Sequence, residues 1–100
     1  MTKKDYLKTK PICKVTFRLS GNLTGEATKV ALVGDFNNWD PKATPMKKLK
    51  GGDFSVALNL PIDKEFQFKY LIDGNTWVND DQADKYVPNN IDGDNSVVVI

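Results

Sequence analysis

Three stretches of the chain alternate apolar with polar residues, with the two-residue period of a half-buried β-strand. Their apolar positions are Cys13, Val15, Phe17 and Leu19, then Phe54, Val56, Leu58 and Leu60, and finally Phe66, Phe68, Tyr70 and Ile72. We predict that these positions face inward and meet between two sheets. The centre of that predicted core is formed by Phe17, Val56, Leu58, Phe68 and Tyr70. A covered Tyr70 ring requires a hydrogen-bond partner for its hydroxyl group.

Shorter apolar runs and turn residues complete an all-β pattern. Residues 29–33, 77–78 and 95–100 are predicted strands, and residues 20–27, 41–52 and 79–94 are predicted connections. No helical period exceeds one turn, and several short strands separated by turns predict a β-sandwich. We expect residues 11–100 to form this single sandwich and residues 1–10 to be a flexible basic arm.

The turn after the second predicted strand carries a large aromatic residue. It reads Gly34-Asp35-Phe36-Asn37-Asn38-Trp39-Asp40-Pro41, and its Gly, Asn and Pro residues mark a break in regular structure. Trp39 has two interpretations. It is either an anchor in the core, or an indole held at a loop tip where it can lie flat against a ligand.

The third alternating stretch contains a lysine and is followed by a second tryptophan. Lys69 lies on the opposite strand face from Phe68 and Tyr70, so we expect it to point away from the core. Trp77 follows the turn that ends this strand. We therefore expect Trp39, Lys69 and Trp77 on one solvent-facing surface.

The composition indicates one globular domain without a strong overall field. Of the 100 residues, 40% are hydrophobic and 27% charged, and the net charge is +1, which gives no reason to expect nucleic acid or membrane as a partner. The charge is uneven. Residues 1–18 hold six basic residues and one acidic residue, whereas residues 79–95 hold five Asp and one Lys. We interpret these segments as a solvated arm and a polar loop.

The chain has one cysteine, Cys13, and no histidine. An intrachain disulfide is therefore impossible, which suits a reducing compartment, and a zinc site is not expected. Cys13 lies at an apolar position of a predicted strand and is expected in the core. Residues 1–20 have no apolar secretory segment and no 18-residue apolar run occurs, so we expect a cytoplasmic protein.

Clusters of charged residues do not form a catalytic or metal-binding motif. Asp80, Asp81 and Asp84 lie in a polar loop, without the apolar surroundings that one acid of a glycosidase pair needs. Residues 92–95 lack the twelve-residue ligand pattern of a calcium loop and are expected to form a turn. The lysine-rich segment 47–50 lacks the interleaved aromatic residues of a nucleic-acid site. We expect no enzyme activity, no metal and no cofactor.

Four ordered segments resemble a known family. They are Val33 to Trp39, Phe54 to Pro61, Phe66 to Gly74 followed by Trp77, and Asn95 to Ile100. Their order and spacing are similar to the family 48 carbohydrate-binding modules. This family includes the glycogen-binding domain of the AMP-activated protein kinase β subunit and the amino-terminal domain of isoamylases. The resemblance covers residues 28–100 and implies an immunoglobulin-like β-sandwich of the early-set type.

The resemblance also implies a sugar-binding site. The family's two tryptophans correspond to Trp39 and Trp77, its lysine to Lys69, its asparagine to Asn95 and its apolar finger to Ile91. A threonine of the kinase domain is replaced here by Gly93. The implied function is noncatalytic binding of an α-glucan (glycogen, starch or a maltooligosaccharide) by stacking on two exposed tryptophans, with a glucan-metabolising enzyme as a candidate partner protein. The alternative is an early-set protein-interaction or regulatory docking domain without sugar affinity.

Overall fold

The alternating stretches form the three longest strands of a two-sheet sandwich. The computed structural model describes residues 2–91 and 93–100. The strands are β1 Thr2–Tyr6, β2 Ile12–Leu19, β3 Val30–Gly34, β4 Lys47–Lys48, β5 Phe54–Pro61, β6 Glu65–Ile72, β7 Thr76–Val78, β8 Lys85–Pro88 and β9 Asp94–Val99. A four-residue helix, α1, spans Gly21–Thr24, and one turn of 3-10 helix spans Asp35–Asn37.

Both sheets are antiparallel. The first sheet has the strand order β1-β2-β5-β4, and the second has the order β3-β6-β9-β8. Strand β6 pairs with β3 along one edge and with β9 and then β7 along the other. This arrangement confirms the predicted all-β, immunoglobulin-like sandwich. No helix in the described part of the chain is long and apolar enough to cross a membrane.

The predicted core lies between the two sheets. Phe17 of β2 and Phe68 and Tyr70 of β6 are fully buried. The Phe17 and Phe68 rings meet edge to face with their centroids 5.1 Å apart, a favourable aromatic geometry. Val56 and Leu58 of β5 pack against this cluster and are partly buried. The alternation therefore identified the inward face of each long strand.

A buried polar pair connects the core to the loop after β7. The Tyr70 hydroxyl donates a hydrogen bond to Asp80 Oδ2 at 2.9 Å, which supplies the predicted partner. Burial, together with the Asp80 carboxylate, raises the pKa of Tyr70 far above its ordinary value. Asp80 lies in a loop, as expected, between β7 and β8. The expectation that it lacks apolar surroundings is wrong, because Asp80 is fully buried. The pair explains why an acidic residue is held inside the fold.

The expectation of a flexible arm at residues 1–10 needs correction. Thr2–Tyr6 forms β1 and pairs along its length with β2, and Lys4 Nζ donates a hydrogen bond to Asp84 Oδ2 at 2.7 Å. The alternation signal was absent because an edge strand can carry polar side chains on both faces. Strand β8 was missed within the predicted loop 79–94 for the same reason. It is short, and its residues are exposed or only partly buried.

We predict that Phe68→Ala lowers the free energy of unfolding by about 3–5 kcal/mol, because it removes a fully buried ring and leaves a cavity. The matched control is Tyr6→Ala, which removes a ring that is 55% exposed and should cost less than about 1 kcal/mol. Urea denaturation of both variants measures the difference. Equal losses in the two variants would contradict the assigned face of β6.

A second prediction concerns the turn after β6. Asp73 Oδ1 accepts hydrogen bonds from the backbone amides of Thr28 and Lys29, each at 3.0 Å. These amide bonds lower the pKa of Asp73 in the folded protein. The stabilisation is therefore complete above the ordinary carboxyl pKa of about 3.9 and is lost as the pH falls through the lower folded value.

Asp73→Asn should accordingly reduce the loss of unfolding free energy between pH 7 and pH 3. Urea denaturation at the two pH values measures this loss. The control for the change of charge is Asp63→Asn. Asp63 is also exposed and has a positive φ, 62° against 50° for Asp73. An Asp73→Asn variant with the full wild-type acid dependence would rule out this role for the carboxylate.

Candidate functional site

A cavity of about 480 Å³ lies on the outer face of the second sheet. We call it the site cavity, and its lining residues are Trp39, Gln67, Lys69, Trp77, Asn89, Ile91 and Asn95. Its size lies within the range of about 300–1,000 Å³ of small-molecule sites. All five residues that the resemblance implied lie around it, and Gln67 and Asn89 are added.

Strand β6 supplies the floor of the site cavity through its two-residue period. Phe66, Phe68 and Tyr70 point to the core, so Gln67 and Lys69 point to the opposite face. The outward position of Gln67 was therefore visible in the same alternation that indicated Lys69. Asn89 follows the missed strand β8, and no pattern in the sequence marked it.

The turn that carries Trp39 begins with a close approach of two backbones. A side chain on Gly34 would place its Cβ only 2.5 Å from the carbonyl oxygen of Gln67, so only glycine fits here. Next in the turn, the Asn37 side chain accepts from Gly34 N at 3.1 Å and donates to the Leu32 carbonyl at 2.9 Å. These contacts fix the turn against the end of β3.

The turn then reverses through two left-handed residues. Asn38 has φ 58° and Trp39 has φ 57°. The Trp39 amide donates to the Gly34 carbonyl at 2.9 Å and closes the turn. Left-handed backbone is uncommon for an aromatic residue, so the surrounding hydrogen bonds hold Trp39 in this conformation.

One carboxylate sets the orientation of the Trp39 ring. Trp39 Nε1 donates to Asp35 Oδ1 at 2.9 Å, and the backbone amide of Gln67 donates to Asp35 Oδ2 at 2.7 Å. Asp35 thus ties the edge of the indole to β6. Because the indole N–H is already bonded, the ring offers the cavity an apolar surface.

Trp77 reaches the same cavity from β7. It lies directly opposite Leu71 of β6, and residues opposite each other in neighbouring strands share a face of the sheet. Trp77 is 43% exposed, and Trp39 is also partly exposed. Both indoles therefore line one cavity and remain accessible, in agreement with the expected common surface.

Lys69 differs from the expected exposed lysine because it is only 6% exposed. It lies at the cavity floor among the other side chains that line the cavity. Its Nζ donates to the Asp94 carbonyl at 3.1 Å, and the Asn79 side chain donates to the same oxygen at 2.9 Å. The ammonium group is therefore fixed at the base of the site.

A chain of three side-chain amides crosses the floor from the residue after β8, through β9, to β6. Asn89 Nδ2 donates to Asn95 Oδ1 at 2.9 Å, and Asn95 Nδ2 donates to Gln67 Oε1 at 3.0 Å. Asn95 is only 9% exposed. We call this set the amide chain. It gives the cavity fixed polar groups beside its two aromatic walls.

Ile91 projects from the rim of the cavity and is 91% exposed. Of the predicted turn at residues 92–95, Asp92 lies outside the described residues, and the last two residues belong to strand β9 and not to a turn. Gly93 has φ 115°, a conformation that L side chains rarely adopt. The replacement of the family's threonine by Gly93 is consistent with this backbone. Within residues 2–91 and 93–100, no group of acidic residues and Cys is arranged to hold a metal ion.

The part of the chain that contains the lining residues of this cavity is similar to known proteins. Residues 19–99 match the family described as the glycogen recognition site of AMP-activated protein kinase. The 1,4-alpha-glucan branching enzyme GlgB 2 of Xanthomonas campestris pv. campestris (strain 8004) is 39% identical over 46 residues, which are 46% of this chain and 6% of the enzyme.

A second relative is the 1,4-alpha-glucan-branching enzyme of Emericella nidulans. It is 56% identical over 32 residues, which are 32% of this chain and 5% of the enzyme. The matched segments therefore cover only about a twentieth of the length of these curated relatives.

We predict that Asp35→Ala releases the Trp39 indole. The Nε1–H signal of Trp39 in a ¹H–¹⁵N spectrum should shift and exchange faster with water, while the Trp77 signal stays in place. The lost hydrogen bonds should lower the free energy of unfolding by about 1–2 kcal/mol. The control is Asp40→Ala, which removes another exposed carboxylate of the same turn, one whose Oδ1 accepts from the Lys42 amide at 2.9 Å. Equal shifts of the Trp39 signal in both variants would show that Asp35 does not set the orientation of the Trp39 ring.

Proposed function

The chain belongs to the family described as the glycogen recognition site of AMP-activated protein kinase, and from this premise we propose that its site cavity binds an α-glucan. Glycogen, starch and maltooligosaccharides are the ligands in question. The observation that supports this proposal most directly is that Trp39 and Trp77 line one accessible cavity together with Lys69 and Asn95. The names of the two relatives point to the same polymer.

The two indoles supply the apolar part of the proposed binding. A glucose ring has an apolar face of C–H groups that can stack on an aromatic ring. Each stacked face covers about 100 Å² of apolar surface, worth roughly 2.5 kcal/mol before costs. Because Asp35 engages the Nε1–H of Trp39, that ring is oriented before the sugar arrives, and less entropy is lost on binding.

The cavity floor supplies the polar part. Lys69 carries a donor group, and the side-chain amides of Asn95 and Gln67 carry both donors and acceptors. These groups are already connected to each other or to the Asp94 carbonyl, so they are held at fixed positions. Sugar hydroxyls that reach the floor would meet an ordered set of partners.

We propose that binding is noncatalytic. A glycosidase requires two carboxyl groups flanking a bond, and the described lining of the site cavity contains none. The buried Asp80 is bonded to Tyr70 and so has a structural role. A glucan-metabolising enzyme is the proposed partner, in line with the enzymes in which the matched segments occur.

The affinity should be weak. Ordering a flexible glucan costs several kcal/mol of the stacking energy, which leaves a dissociation constant of about 10 μM to 1 mM. Titration of β-cyclodextrin or maltoheptaose, followed by tryptophan fluorescence, tests this. No change at about 10 mM sugar would exclude the proposed function and leave the protein-docking alternative.

We predict that Trp77→Ala weakens β-cyclodextrin binding by about 1–3 kcal/mol, because it removes one stacking surface. The control is Tyr6→Ala, which removes an exposed ring from the other sheet, and it should keep the wild-type affinity. Isothermal titration or fluorescence gives both constants. Similar affinities for Trp77→Ala and the wild-type protein would exclude Trp77 as a stacking residue.

A further inference from the structure

A second cavity, of about 420 Å³, opens beside β3. Its apolar lining consists of Val30, Ala31, Pro41, Pro45, Met46 and Leu71. Ala31 lies opposite Leu71 of β6 and bridges Pro45 on its other side. Leu71 belongs to the outward set of β6, so this second cavity lies on the same sheet face as the site cavity.

The two cavities are neighbours across the tryptophans. Leu71 in the second cavity is the direct cross-strand partner of Trp77 in the site cavity. Side chains in such a pair have Cβ atoms about 4.5–5.5 Å apart. On the other side, Pro41 in the second cavity follows Trp39 by two residues. A ligand that leaves the site cavity on this side therefore meets the second cavity next.

The second cavity is present before any ligand binds, because hydrogen bonds join one of its walls to the edge of β3. The Leu32 amide donates to the Thr44 carbonyl at 2.9 Å, and the Met46 amide donates to the Val30 carbonyl at 2.8 Å. Pro45, between these two bonds, has no amide hydrogen to leave unpaired. Asn37 Nδ2 also donates to Thr44 Oγ1 at 3.0 Å, which connects this wall to the turn that carries Trp39.

The rim of the second cavity suits a polyhydroxylated chain. Thr28 and Lys29 line one end of it, and both are exposed. The Thr28 hydroxyl donates to Asp73 Oδ1 at 3.2 Å and keeps an acceptor for a sugar hydroxyl, whereas the Lys29 ammonium group is a donor. Pro41, Pro45 and Ala31 offer a rigid apolar floor, and proline and alanine lose almost no side-chain entropy when they are covered. An apolar surface bordered by polar groups is the same combination that the site cavity offers.

We infer that the second cavity binds further glucosyl units of the same α-glucan chain, beyond those stacked on Trp39 and Trp77. This inference rests on the proposed function of the site cavity. It assigns to the module a preference for linear chains long enough to cross both cavities. A short oligosaccharide, or a closed ring seated on the tryptophans, would use the site cavity alone.

Linear maltooligosaccharides from maltotetraose to maltodecaose test the inference, with β-cyclodextrin as the closed-ring probe. The variant is Ala31→Glu, which places a larger, charged side chain in the second cavity. Its matched control is Ala57→Glu, at an exposed position of β5 in the other sheet. Both variants gain the same charge, and urea denaturation establishes that both are folded.

The wild-type protein and Ala57→Glu should bind maltodecaose about tenfold more tightly than maltotetraose. Ala31→Glu should keep the wild-type affinity for maltotetraose and β-cyclodextrin. In this variant the increase in affinity from maltotetraose to maltodecaose should be small. It should reflect only the larger number of equivalent positions in which a longer chain can occupy the site cavity. The number of such equivalent positions is the same in all three proteins. A difference in length dependence between them therefore reports on the second cavity.

Two results would overturn the inference. One is a length dependence in Ala31→Glu equal to that of the wild-type protein, which would leave a protein segment as the candidate occupant of the second cavity. The other is an equal loss of affinity for every sugar, which would show that the substitution acts on the site cavity. A failure of the proposed function is a different result, because the wild-type protein would then bind neither maltotetraose nor β-cyclodextrin.

Discussion

Strand β6 divides the molecule into a part that stabilises it and a part that can bind. Its period of two residues sends Phe68 and Tyr70 into the core and Gln67 and Lys69 to the outer face. The core positions are fully buried, and burial of their rings is the main source of stability at this strand. A shift of register by one residue would exchange the two sets. The position of the site cavity therefore depends on the packing of the core.

The Trp39 turn shows a second kind of constraint, in which tertiary contacts decide a local conformation. Gly34 is required because the Gln67 carbonyl leaves no room for a Cβ, and Asp35 accepts from both Trp39 and the Gln67 amide. The turn is thus built against β6. This explains how an aromatic residue with φ 57° can be held in place, because several hydrogen bonds compensate for the unfavourable backbone.

Much of the fold was predictable because its long strands each bury one face. The alternations at Phe17, Phe68 and Tyr70 identified the core correctly, and the family resemblance is confirmed by the match over residues 19–99. Strand β1 was missed because its pairing is satisfied by backbone atoms and requires no apolar pattern. The burial of Lys69 was missed for a related reason. Alternation gives the face on which a side chain lies, but it does not show which neighbouring strands and loops cover that face.

The amide chain has a direction, since Asn89 donates to Asn95 and Asn95 donates to Gln67. Turning over any one of these amides would bring two donors or two acceptors together. Asn89 Oδ1 also accepts from the Ile91 amide at 2.8 Å, so a reversal of all three would face the Asn89 amino group toward another donor, and the direction is fixed. Each bond also polarises the next one. The floor of the site cavity therefore presents its donors and acceptors in a fixed order, from Asn89 after β8 to Gln67 on β6. A glucan bound there, as we propose, would meet this order in one orientation better than in the reverse one.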